Sequence, residues 1–322
     1  MDELLTIENI VLHFKLHQHT VKALNGVDLT VRKGEILGLV GETGSGKSMT
    51  ALAILNLLPS QGKRLGGQIR FDDYNLLEKT EEEMQGIRGR QISMIFQNPR
   101  ESLNPVIKIC EQLMDIYRVH SGASKLEAYD HSVVMLQAVG LSNVESLLNS
   151  YPHQLSGGMC QRVMIAMALS CNPRLLIADE PTTALDVTVQ AEVGDLILDM
   201  VRSRGAACLY ITHDLGVVAQ ICDRVAVMYA GRVVESGSIF EIFENPQHPY
   251  TQGLIASTLR VDRTGPITVV PGDVPDAARL PRGCPFHPRC VYVMDVCAVS
   301  YPDSFELGER RKVACHKVIQ GK

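Results

Sequence analysis

Residues 41–48 read Gly-Glu-Thr-Gly-Ser-Gly-Lys-Ser and follow directly on the apolar run 36–40. Nothing else in the chain constrains the fold as much. A buried strand must feed a loop whose backbone curls tightly, and a helix must leave it. Gly41, Gly44 and Gly46 supply the freedom in φ that lets successive N–H groups, those of Glu42, Thr43 and Ser45 among them, turn inward on one anion. Lys47 adds a mobile positive charge, and Ser48 offers a hydroxyl to Mg²⁺. The helix beginning near Lys47 aims the positive end of its dipole at the same point. The pattern predicts an α/β protein that holds a nucleoside triphosphate.

The chain has 322 residues, 45% of them hydrophobic, enough for two domains or for one large domain with an appendage. No apolar stretch nears the ~18 residues a membrane-spanning helix needs, and Met1-Asp2-Glu3 begins nothing like a signal peptide. A cytoplasmic protein is expected. The net charge of −5, with no local basic patch, argues against nucleic acid as a partner.

Upstream of the loop, residues 4–12, 21–24 and 27–31 are short β-like stretches. Turn signals at Asn25-Gly26 and Lys33-Gly34 separate them, which predicts an antiparallel sheet. A further β segment is expected at 67–71. From Asn98 to about Gln154 the apolar spacing becomes helical, with helices predicted over 107–119 and 126–139. A helical insertion over about 98–170 therefore interrupts the α/β core. Residues 175–178 and 208–211 are wholly apolar, as buried parallel strands are. Residues 225–229, Ala230-Gly231 and 232–235 read as a hairpin. Eight prolines between 246 and 288 then break any long element, placing a boundary between a first domain, 1–244, and a tail, 245–322.

In a parallel sheet, ligands gather beyond the carboxyl ends of the strands. Polar residues stand at such ends four times: the loop after Val40, Gln97 after 94–96, Asp179 and Glu180 after 175–178, and His213 after 210–212. Asp179 suits the hydration shell of a Mg²⁺ beside Ser48, because a carboxylate at a strand tip accepts without reorganising. Glu180, one residue off the strand, is placed to orient or deprotonate an attacking water. His213 can donate to a terminal phosphate oxygen. Gln97 can touch metal or water and report its presence to the segment that follows. Residues 155–162, Leu-Ser-Gly-Gly-Met-Cys-Gln-Arg, form a second loop-to-helix junction without a lysine. Ser156, Gly157 and Gly158 there are either a phosphate site or an ordinary Ser/Gly helix cap.

The order of these motifs, with Ala184-Leu185-Asp186 between Glu180 and His213, closely resembles the ATP-binding cassette family over about residues 4–240. The resemblance implies a P-loop NTPase core with an antiparallel β subdomain and a helical insertion, carrying a small irregular Cys-rich C-terminal domain. It implies ATP and Mg²⁺ as cofactors, with Mg²⁺ at Ser48, Gln97 and Asp179, and it adds Thr50 and an adenine-stacking Phe14 to the nucleotide set. Ser156, Gly157 and Gly158 would then act in trans on the γ-phosphate held by a second cassette, and Asp186 would couple the two sites. Met159 and Cys160 depart from the commonest signature without removing a phosphate donor.

Phe96-Gln97-Asn98-Pro99, Ser102-Leu103-Asn104-Pro105 and residues 245–254, Asn-Pro-Gln-His-Pro-Tyr-Thr-Gln-Gly-Leu, are similar to the ATPase subunits of bacterial dipeptide and oligopeptide importers. That likeness implies a peripheral subunit on the cytoplasmic face of the inner membrane. Its partners would be a similar but non-identical ATPase, two transmembrane permease subunits and an external solute-binding protein. Nickel, glutathione or another small solute is the alternative cargo, and a non-transport cassette ATPase the alternative class. Taken alone, residues 245–254 also read as a proline-bounded surface turn.

Nine cysteines in a cytoplasmic chain are expected to be thiols or metal ligands. Cys110, Cys160, Cys171, Cys208 and Cys222 sit among apolar neighbours as small core residues. Cys284, Cys290, Cys297 and Cys315 cluster in the tail beside His287 and His316, and four thiolates suit an iron–sulfur cluster or zinc. The narrow chelate pair usual for zinc is absent, and importer ATPases of this kind include members with a [4Fe–4S] cluster. A cluster is therefore expected ahead of Zn²⁺, and unligated thiols are the remaining reading.

Overall fold

The computed structural model describes residues 2–16, 19–182, 187–257, 270–308 and 310–320. It contains two compact units, one built mainly from Glu78–Ile211, the other from Glu3–Val31, Ile36–Leu77 and Thr212–Lys322. Residues on both sides of position 244 fall in the second unit.

In the first unit, strands Ile92–Ile95, Leu175–Asp179 and Ala207–Thr212 run parallel, with Ile92 opposite Leu175 and Leu175 opposite Ala207. Every residue in the three is buried. Both faces of such strands need apolar cover, which is why their sequences do not alternate. Helices Ile109–Ser121, Lys125–Ala138 and Gly157–Leu169 lie between the first two strands in sequence. The first two helices are displaced by a residue or two from the predicted spans because caps, rather than apolar spacing, fix their ends. Gly122, at φ +70°, closes the first. Ser124 accepts from the Glu127 N–H while its own N–H donates to the Glu127 carboxylate, opening the second.

In the second unit, strand Ile36–Val40 runs parallel to Arg224–Tyr229, with Val40 opposite Val227. Arg224–Tyr229 turns back antiparallel into Arg232–Ser238. The turn is made by Ala230 and Gly231 at φ +47° and +77°, two left-handed residues that match the twist of a hairpin. Strand Lys312–Val313 pairs with Arg232–Ser238, and Phe305–Glu306 pairs with Lys312–Val313. Two short strands of the tail thus extend this sheet. A separate antiparallel sheet has the order His19–Arg32, Glu3–Leu16, Gly62–Phe71, Tyr74–Asn75.

Two expectations are corrected. Asn25-Gly26 is not a turn: it lies inside the continuous strand His19–Arg32. The Asn25 N–H donates to the Gly231 carbonyl at 2.8 Å, its side chain donates to the Ala230 carbonyl at 2.9 Å, and Gly26 takes φ +97°. The pair serves a contact with a distant hairpin, which no local signal reveals. Residues 245–254 are not a surface turn either: His248 and Thr251 are 1% exposed and Tyr250 is fully buried. Glu235 holds this segment by accepting the N–H groups of Gln247 and His248 at 2.9 Å each, and helix Pro249–Ala256 follows.

Candidate functional site

The phosphate loop leaves strand Ile36–Val40 and enters helix Lys47–Ile54. At Gly41 (φ +156°) an added Cβ would stand 2.2 Å from the Met228 carbonyl oxygen, and at Gly46 (φ +107°) 2.8 Å from that of Ala23. Backbone therefore crosses backbone at both positions, and no side chain fits. The Lys47 ammonium folds back over the loop and donates to the carbonyls of Gly41 at 2.8 Å and Glu42 at 3.2 Å. Thr50 is fully buried and donates its hydroxyl to the Gly46 carbonyl at 3.0 Å, bracing the loop from its helix side. Ser48 lies in the first turn of that helix. Phe14 is half-buried opposite Gly62, where its ring fills the space a Cβ would need. His213 is exposed beyond strand Ala207–Thr212, followed by Asp214, which caps the next helix by accepting from Gly216 and Val217.

In the first unit the structure brings Gln97 and Glu180 together: the Gln97 amide donates to Glu180 Oε2 at 3.0 Å. Asp179 ends its strand at 5% exposure. Glu180 takes φ +45° while its N–H donates to the Ile211 carbonyl at 2.9 Å. A left-handed conformation costs a Glu roughly 1–3 kcal/mol and is tolerated where the surroundings over-determine it, as at reactive sites. It turns the carboxylate off the strand line that Asp179 follows. The arrangement offers one enclosed carboxylate suited to a cation and one carboxylate with an amide beside it, suited to a water.

Ser156 caps helix Gly157–Leu169, its hydroxyl accepting from the Met159 N–H at 3.3 Å. A Cβ on Gly157 would meet nothing within 4 Å, and one on Gly158 would make only ordinary contact with Val189 at 3.6 Å. Asp186 and its neighbours 183–185 lie outside the described residues.

Sequence reasoning missed two residues at the phosphate loop. The Glu42 N–H donates to Tyr250 Oη at 2.9 Å, and Arg289 grips the Glu42 carboxylate through Nη1 at 2.8 Å and Nη2 at 3.1 Å. The only sequence signal for Tyr250 was its place in residues 245–254. For Arg289 there was none.

None of the nine cysteines is in a disulfide. Cys208 is buried and its thiol is pushed up to about 12 by that burial. Cys284, Cys290, Cys297 and Cys315 line one cavity with Phe286, His287 and His316. Burial raises Cys284 to about 11 and raises Cys290 and Cys315. Backbone N–H groups of Phe286, Tyr292, Lys317 and Val318 face these sulfurs and act in the opposite direction. Among the described residues, no group of three or more His, Cys, Asp or Glu side chains is placed to hold a metal ion. The four cysteines share a cavity without forming a finished metal site, so a ligated metal in the tail is not borne out by the placement of these side chains.

Comparison with known proteins agrees with this geometry. The family described as ABC transporter matches residues 24–183, and the one described as Oligopeptide/dipeptide transporter, C-terminal region, matches 234–297. The oligopeptide transport ATP-binding protein OppD of Salmonella typhimurium is 48% identical over 98% of this chain and 94% of its own. AppD of Bacillus subtilis is 47% identical over 98% and 97%, and the dipeptide transport protein DppD of Bacillus subtilis 45% over 100% and 99%. Among solved structures, the dimeric post-hydrolysis state of the ATP-binding cassette MJ0796 bound to ADP and Pi superposes with a TM-score of 0.66 at 28% identity, over 73% of this chain and 98% of that one. This chain belongs to the ABC transporter family of ATPases, among the ATP-binding proteins of oligopeptide and dipeptide transport.

Proposed function

We propose that this chain hydrolyses ATP to drive a membrane importer of dipeptides or oligopeptides. The observation that carries the reading is the pairing of a complete phosphate loop with a tail, matched by the peptide-transporter C-terminal family, whose Tyr250 bonds directly to that loop. Nickel, glutathione or another small solute is the alternative cargo for the same machinery.

In this reading residues 41–48 hold the phosphates, Phe14 stacks on adenine, and Ser48, Gln97 and Asp179 hold Mg²⁺. When bound, Mg²⁺ neutralises charge on the terminal phosphates. Glu180 takes the proton of the attacking water, Gln97 orients that water, and His213 donates to the γ-phosphate. Ser156, Gly157 and Gly158 serve a second, similar ATPase subunit, and Asp186 couples the two sites. ATP favours the closed pair over ADP, and that difference in affinity is the drive.

The first domain, 1–244, carries this chemistry, and the tail, 245–322, is its accessory part. The helical insertion carries a groove of about 500 Å³ lined by Lys108, Met114, Leu126 and Tyr129 among others, with Leu126 72% exposed. The pair of ATPase subunits sits beneath two permease subunits, which hold the chain to the cytoplasmic face of the inner membrane through the helical insertion, and an external binding protein delivers cargo. No helix among the described residues is long and apolar enough to cross a membrane itself. Cys284, Cys290, Cys297 and Cys315, grouped around one cavity, are the residues that would hold a [4Fe–4S] cluster or Zn²⁺ in a structural or redox-sensing role. Brown protein absorbing near 400 nm, bleached by Cys290→Ser, is expected for the cluster; colourless protein with stoichiometric zinc rejects it.

The decisive experiment reconstitutes the full transporter in vesicles and measures uptake of a labelled tripeptide with MgATP. Parental protein should take it up. Glu180→Gln should bind ATP normally yet lose ATPase activity by roughly a hundredfold or more. Near-parental hydrolysis would remove Glu180 as the base, and uptake of Ni²⁺ or glutathione in place of peptide would reassign the cargo.

A further inference from the structure

Residue 42 of the phosphate loop is held by the tail at two points. The Arg289 guanidinium meets the Glu42 carboxylate with both terminal nitrogens, at 2.8 and 3.1 Å. Its Nε donates to the Pro271 carbonyl at 2.8 Å, so the planar fork is fixed from its other edge. Arg289 is 7% exposed, and Glu42 is the first cause of its being held firmly charged. The second hold is the bond from the Glu42 N–H to Tyr250. Tyr229 and Phe286 complete the housing, with Tyr229 packed at ring-centre distances of 4.6 Å from Tyr250 and 5.3 Å from Phe286.

A buried arginine paired with a carboxylate on a ligand-binding loop is an expensive way to anchor a tail, because the loss of either partner strands the other charge. What it achieves is placement. Glu42 directly follows Gly41, where backbone already crosses backbone, and the carbonyls of Gly41 and Glu42 are the acceptors on which Lys47 rests. A shift at residue 42 therefore moves the seat of the phosphate-binding ammonium.

We propose that Arg289 is a positioning residue for nucleotide binding: by fixing Glu42 it sets the loop backbone under Lys47, and it makes the affinity for ATP depend on the tail. The proposal rests on residues 41–48 being the nucleotide loop, and the test separates the two. Full-length Arg289→Gln, Arg289→Lys, Glu42→Gln and the Arg289→Gln/Glu42→Gln double variant are titrated with a fluorescent ATP analogue and Mg²⁺, after melting curves establish that each is folded.

The singles to Gln should each weaken binding by about tenfold or more. The double variant should be no weaker than the worse single, because the two residues act as one contact. Arg289→Lys, which keeps the charge without the fork, should lie between parent and Arg289→Gln. In ATPase assays of the Arg289→Gln and Arg289→Lys variants the loss should appear in KM, with kcat at saturating ATP kept within about twofold. Folded singles that bind within about twofold of the parent, or a double variant whose loss is the product of the two singles, would overturn the proposal. Should Arg289→Gln not fold, Glu42→Gln and Arg289→Lys decide by the same criterion. Lys47→Ala is the control: if it binds ATP like the parent, the phosphate-loop reading fails rather than the clamp.

Discussion

Two glycine-bearing helix starts in this chain look alike in sequence and differ in what demands the glycine. At Gly41 and Gly46 the demand is internal: left-handed φ, and main-chain oxygens of Met228 and Ala23 where a Cβ would go. At Gly157 the chain itself demands nothing, for the space around it is open. The first loop is finished within one chain, which even braces it from the tail. The second has a capped helix start and room to spare around Gly157, which suits a surface waiting for something outside the chain.

Gly41→Ala should break the first loop outright. The clash with the Met228 carbonyl displaces the loop, and ATP binding measured by a fluorescent analogue should fall by more than about a hundredfold. The same measurement on Gly157→Glu should show unchanged binding to the isolated subunit and a melting stability within about 0.5 kcal/mol of the parent. ATPase activity of the assembled pair should nonetheless drop by roughly a hundredfold, because the new carboxylate would face a phosphate. If Gly157→Glu unfolds the chain, or leaves the pair fully active, the contrast between the loops is lost.

Acid should separate the loops next. His248 is buried beside Tyr250, whose N–H it accepts at Nδ1 at 3.0 Å, and burial depresses its pKa from the ordinary 6.5 to about 3. The unfolded chain takes up this proton below pH 6.5 and the folded chain only near 3. The contribution is therefore complete above 6.5 and is lost as pH falls through that window. At about pH 5 the cost is about 2 kcal/mol. Denaturant titrations at pH 7 and 5 should show this loss in the parent and a flatter dependence in His248→Gln. The smallest effect is expected at Ser156→Ala: loss of the cap should cost about 1 kcal/mol in the same titrations and leave ATP binding by the single subunit unchanged.

Much of the architecture was legible because it is local. The apolar runs at 36–40, 175–178 and 208–211 announced buried parallel strands. Ala230-Gly231 announced a hairpin, and the Ser124/Glu127 pair could have fixed a helix start more closely than apolar spacing did. Asn25-Gly26 misled for the opposite reason. Its chemistry is that of a tight turn, but its hydrogen bonds go to Ala230 and Gly231, some two hundred residues away. Residues 245–254 pointed correctly to the peptide-transport ATPases; only their alternative reading as an exposed turn failed, since prolines mark a break in local structure without saying whether the broken segment is exposed. The tail cysteines gave their grouping in sequence, and the structure gathers them around one cavity while leaving their metal ligation unbuilt.

The sequence alone determined the nucleotide loop, the strand-end carboxylates and the capped glycine helix start, because each is a short run whose backbone and side-chain chemistry is set within a few residues. Only the tertiary structure decided that the tail belongs to the sheet, that Glu180 pairs with Gln97, and that Arg289 and Tyr250 hold Glu42. Those contacts join positions 76 to 247 residues apart. No periodicity or spacing encodes them, because they depend on where a closed chain brings its distant segments.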